Sequence, residues 1–262
     1  MYFGYTEVGP KRNYMSQTPP EEKIVAMYSA LFRIWGNQHW WPAQSRFEVI
    51  VGAYLTQNTS WSNVEIAMSK LRSARVLSVD GIRSLPIRRL EKLIRSSGYF
   101  RQKASRLKRF VEFLDGNYGG SLTKMFAQPT AELREQLLAL NGVGPETADS
   151  ILLYAGQHPV FVLDAYTRRL VVRHEIAPER ASYEELRQLF ERSLAGVSEV
   201  AGQWPVIAGG ASHKPSRMSA RTRTPLAQVF NEMHGLIVGV GKNYCLKSKP
   251  KCDECPLKHL LP

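Results

Sequence analysis

Apolar residues recur at intervals of three and four along most of this chain, the spacing that puts side chains on one face of an α-helix. The first stripe comprises Ile24, Val25, Tyr28, Leu31, Phe32 and Trp35, and Gly36 closes it. Others run through Phe47, Ile50, Val51, Tyr54 and Leu55, through Val64, Ala67, Met68 and Leu71, and through Ile87, Leu90, Leu93 and Ile94. Ala104, Leu107, Phe110, Val111 and Leu114 form another. Ser182 followed by Glu185 is a capping box that opens a helix through Leu186, Leu189 and Phe190. A last long helix takes in Leu226, Val229, Phe230, Met233, Ile237 and Val238 and is expected to close near Gly239 or Gly241. Only Pro159–Leu163 reads as extended, and one short apolar run cannot build a sheet. The pattern predicts an all-α fold.

Two stretches fall outside it. Residues 1–19 are polar, end at a Pro-Pro pair and read as a flexible arm. Residues 197–224 are rich in Gly, Ser, Pro and Arg and read as a mobile basic insertion, either a tolerated loop or a DNA-contacting one. With 262 residues, 44% of them apolar, the chain is long enough to bury one or two cores. Its net charge of +12 points to a polyanionic partner, of which nucleic acid is the usual one. No apolar run reaches the length of a membrane span and the first residues lack the order of a signal peptide, so a cytoplasmic, nucleoid-associated protein is expected. Nothing requires more than a monomer.

Two groups of residues carry candidate chemistry. In LALNGVGPETADSILLY, a helix bearing Leu133, Leu137 and Leu138 runs into Gly142-Val143-Gly144, and Pro145 stands where a new helix begins. Such a hairpin is either an ordinary tight turn or a grip in which outward amides hold a DNA phosphate, directly or through a monovalent cation. Downstream, Asp164 in VFVLDAYTRR stands where the extended piece meets the next helix; it suits an N-cap, a catalytic carboxylate, or both. The second group is Cys245, Cys252 and Cys255, with Leu261 where a fourth cysteine would complete an iron-sulfur spacing. His259 is a candidate substitute ligand, the alternative being a basic tail with three free thiols in a reducing compartment.

The glycine hairpin, the aspartate in VLDAYTRR, the segment SGYFRQKA and the cysteine tail together resemble the helix-hairpin-helix DNA glycosylase superfamily of endonuclease III. The resemblance implies two helical domains about a central cleft with a C-terminal cysteine loop. One domain would span residues 44–157; the other would join 20–43 to 158–243, and the tail would be 244–262. It implies Asp164 as the catalytic carboxylate, double-stranded DNA with a damaged base as partner, and a [4Fe-4S] cluster on the cysteines. Gly142, Val143, Gly144, Thr147 and Lys103 are implied as DNA contacts, with Gln57 and Tyr99 as wedges in the gap left by an extruded base. In endonuclease III a lysine two residues after the second hairpin glycine attacks the sugar. Glu146 occupies that place here, and a carboxylate cannot form a Schiff base, so base release by hydrolysis alone is expected. Trp40-Trp41-Pro42 and the run LTQNTSW, ending in Trp61, resemble the bacterial 3-methyladenine DNA glycosylase branch. In that reading the indoles stack a cationic alkylated purine; in the other they are core aromatics. Residues 83–109 hold ten Arg or Lys against Glu91 alone, a stretch suited to tracking phosphates.

Overall fold

The computed structural model describes residues 18–199 and 214–262, so the predicted arm lies outside it except for its last two residues. Twelve α-helices are seen among the described residues, with no strand. The first seven are α1 (Pro20–Trp35), α2 (Arg46–Leu55), α3 (Trp61–Ser73), α4 (Val79–Ser84), α5 (Ile87–Leu93), α6 (Phe100–Tyr118) and α7 (Leu122–Met125). Then come α8 (Thr130–Leu138), α9 (Pro145–Ser150), α10 (Ala165–Arg173), α11 (Tyr183–Ala195) and α12 (Pro225–Asn243). α9 continues as a wider π turn over Ile151–Gly156. The capping box at α11 is present in both halves: Ser182 Oγ accepts from the Glu185 amide, and the Glu185 carboxylate accepts from the Ser182 amide. The short helices α4 and α7 lack enough turns to show an apolar stripe, and pattern alone misses them.

α2 packs on α6, α3 and the π turn after α9, while α4 and α5 lie on α6. α1, α10 and α11 gather around α12, which also touches the π turn and so links the two groups. Pro159–Leu163 crosses between them as extended chain with Val160, Phe161, Val162 and Leu163 all buried. No sheet is needed to satisfy it, because side chains serve the backbone: Glu191 accepts from the Phe161 amide (3.0 Å) and Tyr183 Oη from the Leu163 amide (3.3 Å). Phe161 stacks on Phe190 at 4.5 Å between ring centroids.

Two expectations change. α12 runs past Gly239 and Gly241 to Asn243, because those glycines serve close packing rather than termination. A Cβ on Gly241 would lie 2.2 Å from the Tyr166 ring. Gly241→Ala is therefore expected to cost about 1–3 kcal/mol by overpacking, read as a lowered Tm; Gly116→Ala, with open space around its Cβ, should not lower it. The insertion, within its described part, is not loose. Met218 is buried and its amide donates to the Ala43 carbonyl at 3.0 Å. Ser216 Oγ accepts from the Ala43 amide at 3.2 Å and donates to the Trp41 carbonyl at 3.4 Å.

Candidate active site

The turn between α8 and α9 is a glycine hairpin stitched to its neighbours. Gly142 has φ +81°, and a Cβ there would collide with the Arg106 guanidinium at 2.0 Å, so glycine is required on both counts. Gln57, just past α2, donates to the Gly142 carbonyl (3.0 Å) and to Thr147 Oγ1 (2.9 Å), and accepts from Arg106 (2.9 Å). The Gly142 carbonyl accepts from Gln57 with one of its two lone pairs. Val143 and Thr147 are buried, while Gly144 and Pro145 are exposed; Glu146 is exposed as a residue and also forms part of a pocket wall.

Asp164 caps α10. Its Oδ1 accepts from the Thr167 amide (2.8 Å) and hydroxyl (3.0 Å), which leaves Oδ2 directed at His234 Nε2, 3.6 Å away. His234 is held from its other side by Tyr154, whose hydroxyl lies 2.7 Å from Nδ1. Burial alone would raise the Asp164 pKa, but His234 and the Thr167 donors outweigh it and hold the carboxylate below its ordinary range. Glu146 behaves oppositely. Partial desolvation where it borders the pocket, then the Asp164 charge, push its carboxyl up to about 7 against the lowering effect of His234. Two carboxyl groups driven apart in this way give one site an ionised and a protonatable oxygen acid at neutral pH.

Both carboxyls line a pocket of about 260 Å³, together with Trp40, Trp41, Trp61 and Lys242. Trp41 is nearly buried, edge-on to Trp61 at 5.2 Å and tilted on Tyr154 at 5.3 Å. Trp40 is partly exposed and tilted on His234 at 5.9 Å, with the Lys242 ammonium 5.9 Å from its ring centre. The three indoles named from sequence therefore share one cavity with both carboxyls. His234, Tyr154 and Lys242 were not singled out. His234 had a signal, being a histidine on the apolar face of α12 between Phe230 and Ile237.

Tyr99 is 66% exposed and has φ +42°, an unusual combination for an aromatic residue at a helix start. Lys103 departs from expectation: it is buried, and Nζ donates to the carbonyls of Leu55 (2.9 Å) and Ser97 (2.6 Å). Burial, helped by the Arg106 charge, lowers its pKa to about 8. Its ammonium thus closes the ends of α2 and of the turn before α6 rather than facing phosphates. Of the basic stretch, Arg101, Arg106 and Arg109 line an open groove beside Asn141 of the hairpin turn, whereas Arg83 is paired with Asp80 and Asp115.

The cysteine tail folds back on α10. Arg169 donates to the Cys245 carbonyl (2.6 Å), Arg173 to Cys245 Sγ (3.1 Å), and His174 Nδ1 lies 3.1 Å from the Leu260 carbonyl. The three thiols, His174 and Leu261 border one small apolar cavity. His259 does not border it. Among the described residues no three His, Cys, Asp or Glu side chains are arranged to hold a metal ion. Three thiols with Leu261 in the fourth place fall one ligand short of the usual four-cysteine set of a four-iron cluster.

Residues 51–195 match the HhH-GPD superfamily of base excision DNA repair proteins. The chain belongs to that family and is a DNA glycosylase of base excision repair. A DNA repair glycosylase of Methanocaldococcus jannaschii is 40% identical over 240 residues, covering 90% of this chain and 94% of that one. The fold is similar to that of an H. pylori 3-methyladenine DNA glycosylase bound to 1,N6-ethenoadenine, with TM-score 0.68, 28% identity, and coverage of 86% and 98%. It is also similar to endonuclease III in a non-covalent DNA complex (TM-score 0.67, 19% identity, coverage of 94% and 96%), which speaks for the fold alone. No helix among the described residues is long and apolar enough to cross a membrane.

Proposed function

We propose that this glycosylase releases alkylated purines such as 3-methyladenine from double-stranded DNA by hydrolysis, without a lyase step at the hairpin. One observation carries the reading: Trp40, Trp41 and Trp61 line the same pocket as Asp164 and Glu146. A purine extruded from the duplex meets indole faces there, and an alkylated, cationic ring gains cation–π attraction that a normal base lacks. Similarity to the H. pylori enzyme supports the same choice.

The glycosidic bond of such a base is already weak. As it breaks, its electron pair leaves with the base and positive charge develops on the sugar. Asp164, ionised and fixed by Thr167, stabilises that charge and accepts a proton from the water that adds to C1′. Glu146 supplies a proton where the departing base is neutral. Gln57 enters the gap only by releasing Gly142 and Thr147, whereas Tyr99 already projects. The hairpin holds the backbone in register without reading sequence.

A panel of duplexes, each with one defined lesion, tests the reading: free 3-methyladenine is expected, and no release of any alkylated purine would overturn it. A second reading rests on Lys242, the amine in the pocket lining. Attack of that amine on the C1′ aldehyde of an abasic site, with loss of water, would give an imine, and loss of the C2′ proton from it would then expel the 3′-phosphate by β-elimination and cut the strand. Borohydride trapping on abasic DNA decides the matter. We expect no covalent adduct; an adduct lost in Lys242→Ala would replace hydrolysis alone with a lyase.

A further inference from the structure

A second cleft opens at the other end of α2. It is larger than the base pocket, about 800 Å³, and three arginines, Arg46, Arg217 and Arg221, are among the residues that line it. The first turn of α2 lies at its floor, capped by Ser45. The ten residues of α2 place it about 15 Å from Gln57 and the hairpin, and it shares no lining residue with the base pocket or with the groove beside the hairpin.

The cations of this cleft are unbalanced. The carboxylates nearest to them in sequence are already matched, Glu48 to Arg72 and Asp80 to Arg83, and among the described residues no ion pair engages Arg46, Arg217 or Arg221. Arg46 is half-buried, with its guanidinium 5.3 Å from the Phe126 ring centre and no hydrogen-bond partner for Nε. Burial and then the Arg221 charge depress its pKa. The backbone that carries Arg217 and Arg221 is held in place, since Met218 is buried with its amide on the Ala43 carbonyl and Ser216 and Ser219 hydrogen-bond each other, while both arginine side chains are exposed.

We propose that this cleft binds a small ligand bearing a chain of phosphates. Guanidinium forks and a helix N-terminus are the donors that phosphate oxygens favour, and Ser78 and Thr123 are further polar residues of the lining. One wall is apolar, made by Leu77, Val79, Leu122 and Met218. A nucleotide would lay its nucleoside there; inorganic polyphosphate would not use it. The volume falls within the range of small-molecule sites. This assignment also gives the described part of the arginine-rich insertion a role distinct from DNA binding.

Calorimetric titration of the full chain with tripolyphosphate, and separately with ATP, tests it. Wild type is expected to bind both, and the double variant Arg217→Ala/Arg221→Ala to bind at least about tenfold more weakly, the loss of charge-assisted contacts. Its affinity for a damaged duplex should stay within about twofold of wild type, because neither arginine lines the base pocket or the groove beside the hairpin. Tighter binding of ATP than of tripolyphosphate would place a nucleoside on the apolar wall, and equal binding would assign the phosphate chain alone. Unchanged titrations in the double variant would overturn the proposal, as would no binding by wild type. So would weakening confined to Arg101→Ala/Arg109→Ala, which would put the anion on the groove beside the hairpin.

Discussion

Asp164→Asn is expected to abolish base release while leaving the fold and DNA binding nearly intact. Asparagine is as good an N-cap as aspartate, and its carbonyl can still accept from Thr167, so α10 keeps its start. What disappears is a full negative charge beside the sugar. At about 4 Å and an effective dielectric near 20, that charge is worth roughly 4 kcal/mol to a developing cation, or about a thousandfold in rate. Single-turnover excision from a 3-methyladenine duplex measures the loss, and a gel-shift titration measures the binding that should remain. An Asn variant that excises as fast as wild type would mean that Asp164 serves only as a helix cap.

Glu146 predicts a pH dependence that differs between lesions. Its carboxyl is raised to about 7 by partial desolvation and by Asp164, so it is protonated below that pH and ionised above it. Asp164, held below its ordinary range, stays ionised throughout. A neutral base such as 1,N6-ethenoadenine needs a proton to leave well, and its release should fall about tenfold per pH unit above about 7. A cationic base leaves as a neutral molecule, and its release should be flat over the same interval. Glu146→Gln should flatten the neutral-base profile at a low rate and leave 3-methyladenine release largely unchanged. A neutral-base rate indifferent to pH in wild type would remove Glu146 as the acid.

The long helices, the hairpin and the meeting of Asp164 with the tryptophans were legible because each has a local cause: a repeated apolar stripe, a glycine pair before proline, or motifs that a known family keeps together. What escaped depends on contacts across the fold. Gly241 resembles a helix stop until Tyr166 is known to press against it. Lys103 resembles a phosphate contact, since nothing nearby in sequence announces that it turns inward to two carbonyls. His259 is the histidine within the tail, yet His174, seventy-one residues before Cys245, borders the thiols because α10 lies beneath them. His234 was hidden by its setting in an apolar stripe, the same setting that brings it to Asp164.

α12 connects several of these places. It is a rod of nineteen residues, about 28 Å long. Its N-cap, Thr224, ends the arginine-bearing segment; His234 stands near its middle against Asp164; Lys242 reaches the pocket mouth; and its far end leads into Cys245, clamped by Arg169 and Arg173. A close-packed helix transmits displacement better than it absorbs it. Substitutions that shift either end of α12 are therefore expected to be felt at its middle, where His234 faces the Asp164 carboxylate.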